Sequence, residues 1–201
     1  MTMTTKPIIL LLSGWAGSGK DAAALLLTDE MRFERLAFAD ALKRDVSQKT
    51  GTPLHLFHDR GLKDMLNEGG TPRSLLIKHA LKARKDDPDI YSRIICEQVK
   101  TEAIGTRIVI SDWRYKREYE FLSKELRGYT ILKGRIKRGL IKSSADVSEH
   151  DLDAEPMDFV IANNGSISDL RDAIRDAIRD AIRDAIRHHT GTVVHHDSYT
   201  S

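Results

Sequence analysis

The stretch Ile8-Ile-Leu-Leu-Leu-Ser-Gly14-Trp-Ala-Gly-Ser-Gly-Lys20-Asp21 decides the fold. Ile8 to Leu12 is an unbroken apolar run, as a strand covered on both faces of a parallel sheet requires. Glycines at 14, 17 and 19 end it, and Ala22 to Leu27 then supplies strong helix formers. Gly14, four residues, then Gly19-Lys20 is the spacing of a phosphate-binding loop between strand and helix. Glycine permits the dihedrals that turn successive N–H groups inward as an anion nest, and the helix start adds its positive dipole end. Lys20 would reach the β- and γ-phosphates of a nucleotide. Gly14, Ala16, Gly17, Ser18, Gly19 and Lys20 are therefore candidate nucleotide-binding residues, with Lys20 also catalytic. Asp21 stands where such loops usually carry Ser or Thr. Three readings of it stay open: magnesium held through water, a contact to the acceptor, or a helix cap.

Working outward, Phe33–Ala37 reads as a short second strand, and helical composition returns from Asp40. From Pro53 to about Ile104 the signals are helical alone, parted by Gly69-Gly70-Thr71-Pro72 and Asp86-Asp87-Pro88. Thr71 before Pro72 has the form of an N-cap followed by proline at the first helical position. Arg107–Ile110 is the clearest later strand, Tyr115–Leu126 its helix, and Tyr129–Leu132 and Phe159–Ile161 further short strands. Strands alternating with helices predict an α/β domain with a doubly wound, five-stranded parallel sheet. Residues 53–104 are then a helical, acceptor-binding insertion over the sheet's carboxyl edge, where ligands sit in such folds.

A last helix begins at Ser168 and holds four copies of Arg-Asp-Ala-Ile between Arg171 and Ile186. A four-residue period overshoots one turn by about 40°, so its isoleucines form a slowly drifting stripe. The first copies should pack on the domain. The simplest origin is a repeat that lengthened an ordinary terminal helix, and a homodimer through this helix is the alternative. The pairs His188-His189 and His195-His196 lack a spacing that fixes metal geometry. The expected layout is one domain over residues 1–187, with a lid at about 134–156 and a disordered tail at 188–201.

At 201 residues the chain suffices for one core. Its net charge of +2 argues against a global field for nucleic acid or anionic membrane. Aromatic residues at 6% leave little platform for stacking on single strands. The lone Cys96 excludes an internal disulfide, and a cytoplasmic setting without targeting segment is expected.

Asp112 ends the clearest strand after the one feeding Lys20, the place of an aspartate that holds magnesium through water; a cap for the helix after Trp113 is the plainer reading. Arg73 lies in a first helical turn, where a cation opposes the helix dipole and asks for another reason, such as gripping an acceptor phosphate. Arg114 and Glu118 stand at i,i+4 and could form a plain bridge. Lys133, Arg135, Lys137, Arg138 and Lys142 crowd the segment after the fourth strand, as a closing lid would need; Arg135 and Arg138 are the catalytic candidates, since guanidinium suits phosphate. Asn163-Asn164-Gly165 ends the fifth strand, and Asn164 is taken as part of an adenine pocket.

These segments together resemble the deoxynucleoside monophosphate kinases of phages and large viruses, and more distantly the animal-type phosphomevalonate kinases. The resemblance rests on Ser13–Asp21, Phe38-Ala-Asp-Ala-Leu-Lys43, Thr71-Pro-Arg-Ser-Leu-Leu76, Ile110-Ser-Asp-Trp-Arg114 with Glu118, Ser148-Glu-His150 and Asp158–Gly165. It runs in order from about residue 8 to 174. It implies a P-loop kinase fold, ATP and Mg²⁺, and a deoxynucleoside monophosphate as acceptor. It also implies an acceptor-side role for Asp40 and Lys43, and for Arg114 oriented by Glu118. Trp113 departs from the smaller apolar residue expected there, and an altered pocket is the expected consequence. Another phosphorylated metabolite, of the phosphomevalonate or dephospho-coenzyme A type, is the alternative acceptor. A nucleotide-binding module without transfer is the alternative class.

Overall fold

The computed structural model describes residues 6–59, 61–62, 64, 70–103, 105–139 and 150–190, with side chains as far as Arg187. Gly69, Ile104, Lys142, Ser148, the side chains of His188 and His189, the pair His195-His196 and residues 140–149 of the expected lid lie outside the described residues.

Among the described residues twelve elements follow in chain order: β1 (Ile8–Ser13), α1 (Lys20–Met31), β2 (Phe33–Leu36), α2 (Phe38–Thr50), α3 (Leu54–His58), α4 (Pro72–Asp86), α5 (Ile90–Thr101), β3 (Arg107–Ile110), α6 (Lys116–Glu125), β4 (Thr130–Lys137), β5 (Phe159–Ala162) and α7 (Ile167–Thr190). The five strands form one sheet in the order β2-β3-β1-β4-β5, every neighbouring pair parallel. The apolar run of β1 therefore lies at the sheet centre, and Ile9 to Leu12 are fully buried. Ile9 and Leu11 face one core with Trp113, Ile95 and Leu122, while Leu10 and Leu12 face the other with Leu27, Ile174 and Ile178. This is the doubly wound parallel sheet expected from the sequence. No described helix is long and apolar enough to cross a membrane.

One strand is longer than the sequence suggested. β4 runs to Lys137, because β1 pairs with it as far as Arg135 and β5 pairs with Gly134 to Lys137. Lys133, Arg135 and Lys137 thus alternate with Leu132, Gly134 and Ile136 along a strand, and do not follow it as lid residues. The charged alternation masked a period of two.

In α7 the stripe drifts as its period requires: Ile174, Ile178 and Ala181 are buried, whereas Ile186 is exposed. Each repeat sets an aspartate three residues before an arginine, as in Asp176–Arg179 at 2.9 Å. Arg171 also reaches Glu30 of α1 at 2.6 Å, so the early copies pack on the domain.

Candidate active site

The loop between β1 and α1 has the backbone its glycines permit. Gly14, Gly17 and Gly19 all sit at positive φ, and a Cβ on Gly19 would come within 2.2 Å of Asn163 Nδ2. Asn163 donates from that amide to Ser18 O at 2.9 Å and so supports the loop from β5. The sequence had placed the Asn163 segment at a base pocket; the structure puts Asn163 beneath the phosphate loop and Asn164 at a cavity wall. Lys20 Nζ donates to the carbonyls of Gly14 and Trp15, at 2.5 and 2.9 Å, which holds the ammonium within the loop's own span. Ala16 and Asp21 are exposed at the loop and at the first turn of α1.

Beside this loop opens a cavity of about 460 Å³, lined in part by Trp15, Ser18, Arg135, Arg138, Gly139 and Asn164. Trp15 Nε1 and Ser18 Oγ are buried there with no hydrogen-bond partner among the described residues. Leaving buried polar atoms unsatisfied costs roughly 1–3 kcal/mol each, so both mark a strained, unfinished polar environment beside the cavity. Asn164 Oδ1 accepts from Gly139 N at 2.8 Å, closing the far wall.

Asp112 is neither a local cap nor an open carboxylate. Its two oxygens accept from Phe38 N and Ala39 N, both at 2.8 Å, and so cap α2 from the end of β3. Burial pushes its pKa up, against the two amide bonds and the nearby Arg114 charge. Asp40, in the first turn of α2, pairs with Lys43 at 3.0 Å and Arg35 at 2.9 Å. Burial alone would raise the Asp40 carboxyl; those two cations outweigh it and hold it below its ordinary value. His58 of α3 joins them, with Nδ1 3.3 Å from Lys43 Nζ. No sequence signal marked that histidine.

Glu118 acts on the backbone. Its Oε2 accepts from Arg114 N at 3.0 Å and Tyr115 N at 3.1 Å, which fixes the turn that carries Arg114 past Asp112. Trp113 holds the same turn from inside: it is 1% exposed, and its indole N–H donates to Tyr115 O at 2.8 Å. It borders neither described cavity, so the expectation of an altered pocket is corrected; its bulk belongs to the core. A second cavity of about 390 Å³ lies alongside, lined in part by Arg84, Tyr91, Tyr115, Lys116 and Glu118. Arg84 stacks over the rings of Tyr91 and Tyr115 and lies 4.0 Å from Glu118. Tyr91 Oη is buried there without a described partner. Arg84 escaped the sequence reading because a cation in the last turn of a helix already has a reason to be there.

Burial, with the Asp112 charge adding to it, raises Glu118 to about 7. The folded state then binds a proton that the unfolded chain has released between about pH 4.5 and 7, so this group's contribution falls as pH rises through that window. The steepest slope from one group is about 1.4 kcal/mol per pH unit. Urea unfolding from pH 5 to 8 should show the decline, and Glu118→Gln should flatten it; an unchanged slope in the variant would remove Glu118 as its source.

Arg73 is exposed at the start of α4, its fork engaged bidentately by Asp64 at 2.5 and 3.1 Å. It makes no described hydrogen bond or ion pair with Asp40, Lys43 or Asp112.

No family model matches the chain. A putative deoxynucleotide monophosphate kinase of Acanthamoeba polyphaga mimivirus is 27% identical over 190 residues, 83% of this chain and 94% of that protein. The chain is similar to a viral deoxynucleotide monophosphate kinase. The similarity spans nearly the whole of that protein, as the ordered motifs of the sequence suggested. Among solved structures, a Thermus thermophilus protein aligns with a TM-score of 0.51 at 17% identity, over 88% of this chain and 98% of that one, a likeness of fold. A dephospho-CoA kinase of Campylobacter jejuni aligns at a TM-score of 0.47 and 16% identity, over 88% and 98%.

Proposed function

We propose that the chain transfers the γ-phosphoryl of ATP to a deoxynucleoside monophosphate, giving the diphosphate. What carries the reading is the glycine loop between β1 and α1, with Lys20 held in its span, beside a cavity of about 460 Å³ lined in part by its own Trp15 and Ser18. The viral relative's name supplies the acceptor class.

Phosphoryl transfer is chiefly positioning and charge stabilisation. Lys20 neutralises charge on the transferred group, and Arg135 and Arg138 border the donor cavity. Arg114, on the turn fixed by Glu118 and Trp113, faces the acceptor beside Asp112. The second cavity then takes the acceptor's base against Tyr91, Tyr115 and Arg84. Magnesium asks for one or two carboxylates and keeps several waters. Asp21, exposed at the first turn of α1, would hold it through water, and it would neutralise charge on the donor phosphates. Asp112, expected as a second ligand, is corrected to the cap of α2, since both its oxygens already accept from Phe38 N and Ala39 N.

Arg73 completes the acceptor side, exchanging Asp64 for the acceptor phosphate. Arg73→Ala should raise the acceptor KM by about tenfold or more while the MgATP KM stays within about twofold. Initial rates with each substrate varied in turn check this, and equal shifts in both would take Arg73 out of the acceptor site.

A further inference from the structure

Arg135 is held in place before any ligand arrives. It lies in β4 in register with Ser13, the last residue of β1 before the phosphate loop. At 7% exposure its charge needs partners. Leu152 O accepts from one terminal nitrogen at 2.8 Å, and the Asp153 carboxylate pairs with the other. Those two bonds leave three of the guanidinium's five N–H donors for a further acceptor. The side chain borders the cavity that holds Trp15 and Ser18.

Asp153 is shared. One oxygen meets Arg135, and the other lies 2.7 Å from His150 Nδ1. A carboxylate only accepts, so Nδ1 carries the proton and the ring orientation is fixed. That ring meets Trp15 of the phosphate loop edge-on, with centroids 5.9 Å apart and planes at 61°. Hydrogen bonds to both partners draw the Asp153 carboxyl below its ordinary value, His150 first and Arg135 second. Asp153 and His150 are 40% and 38% exposed, so their pairing adds little stability. What the chain of contacts supplies is position.

Alternation along β4 sets the direction. Lys133 and Arg135 share a face, and Lys133 Nζ sits 4.5 Å over the ring of Tyr119 in α6. Leu152, which binds Arg135, belongs to the core on that same side, with α2, α5 and Trp113. Arg135 therefore faces the half of the molecule assigned to the acceptor, and the donor phosphate it meets is the terminal one.

We infer that Asp153 and His150 are positioning residues: a strap that sets the Arg135 guanidinium against the terminal phosphate of ATP and ties that setting to the loop through Trp15. The inference rests on the ATP reading of the phosphate loop.

The test is calorimetric binding of MgATP and MgADP to the full chain without acceptor. Arg135→Met and Asp153→Asn should each weaken ATP about tenfold and ADP less than about twofold. The double variant should be no weaker than Arg135→Met alone. His150→Gln, which keeps an N–H donor for Asp153, should retain more ATP affinity than His150→Ala. If circular dichroism shows that Asp153→Asn does not fold, the two His150 variants carry the comparison. Equal losses for ATP and ADP, additive losses in the double variant, or identical behaviour of the two His150 variants would overturn the strap and leave the nucleotide site standing. A native chain that binds neither nucleotide would overturn the strap together with the ATP reading.

Discussion

Lys20→Ala should lower turnover by about three orders of magnitude while leaving the far-ultraviolet circular dichroism and the unfolding midpoint nearly unchanged. Removing one preorganised group that stabilises transition-state charge typically costs about 10²–10³ in rate, and Lys20 carries a full charge. The fold should survive for a structural reason. Lys20 Nζ donates to the loop carbonyls of Gly14 and Trp15, and the loop is also held by Asn163 from β5. Its glycines adopt their positive φ without the strain a side chain would add. The measurement is ADP release from MgATP with saturating acceptor, beside unfolding curves for both proteins. A variant with native turnover would remove the phosphate loop from the chemistry.

Trp113→Ala should cost about 3–5 kcal/mol of stability, the usual range for deleting a large buried aromatic side chain. That is a large part of the roughly 5–15 kcal/mol that holds a domain of ordinary stability. Trp113 is fully enclosed in the core on the α5–α6 side, near Tyr119 at a centroid distance of 6.2 Å. Its backbone N–H donates to Leu12 O at 3.1 Å, and its indole N–H donates to Tyr115 O. The indole thus fastens the turn between Asp112 and Glu118 to the core, and its loss should also lower kcat by releasing Arg114. Urea unfolding gives the stability change. A loss below about 1 kcal/mol would mean that the turn is held by Glu118 alone.

The fold was legible because its central signal is local. Ile8 to Leu12, the glycine spacing and the strong helix formers after Lys20 each follow from a neighbour a few residues away. The same holds for Thr71 and Pro72, where Thr71 Oγ1 accepts from Ser74 N at 3.1 Å as a cap should. What stayed hidden depends on partners far along the chain. Asp112 serves amides 73 and 74 residues away, so its spacing to α6 suggested the wrong helix. The second half of β4 is a strand because β1 and β5 flank it, and its lysines and arginines have no reason of their own to alternate. Trp113 suggested an altered pocket because it departs from the smaller apolar residue that the resemblance implies there; tertiary packing turned it inward. Glu118 showed its spacing to Arg114 but not that it would bind backbone amides.

The central claim is the transfer itself. ADP release from MgATP should be followed across the common deoxy- and ribonucleoside monophosphates, at equal concentration and with acceptor-free controls. The account expects strong stimulation by at least one deoxynucleoside monophosphate, with the matching diphosphate formed in equal amount. Silence across the whole panel from a folded chain that binds ATP would contradict it, and would turn the acceptor cavity toward another phosphorylated metabolite or leave the loop a binding site alone.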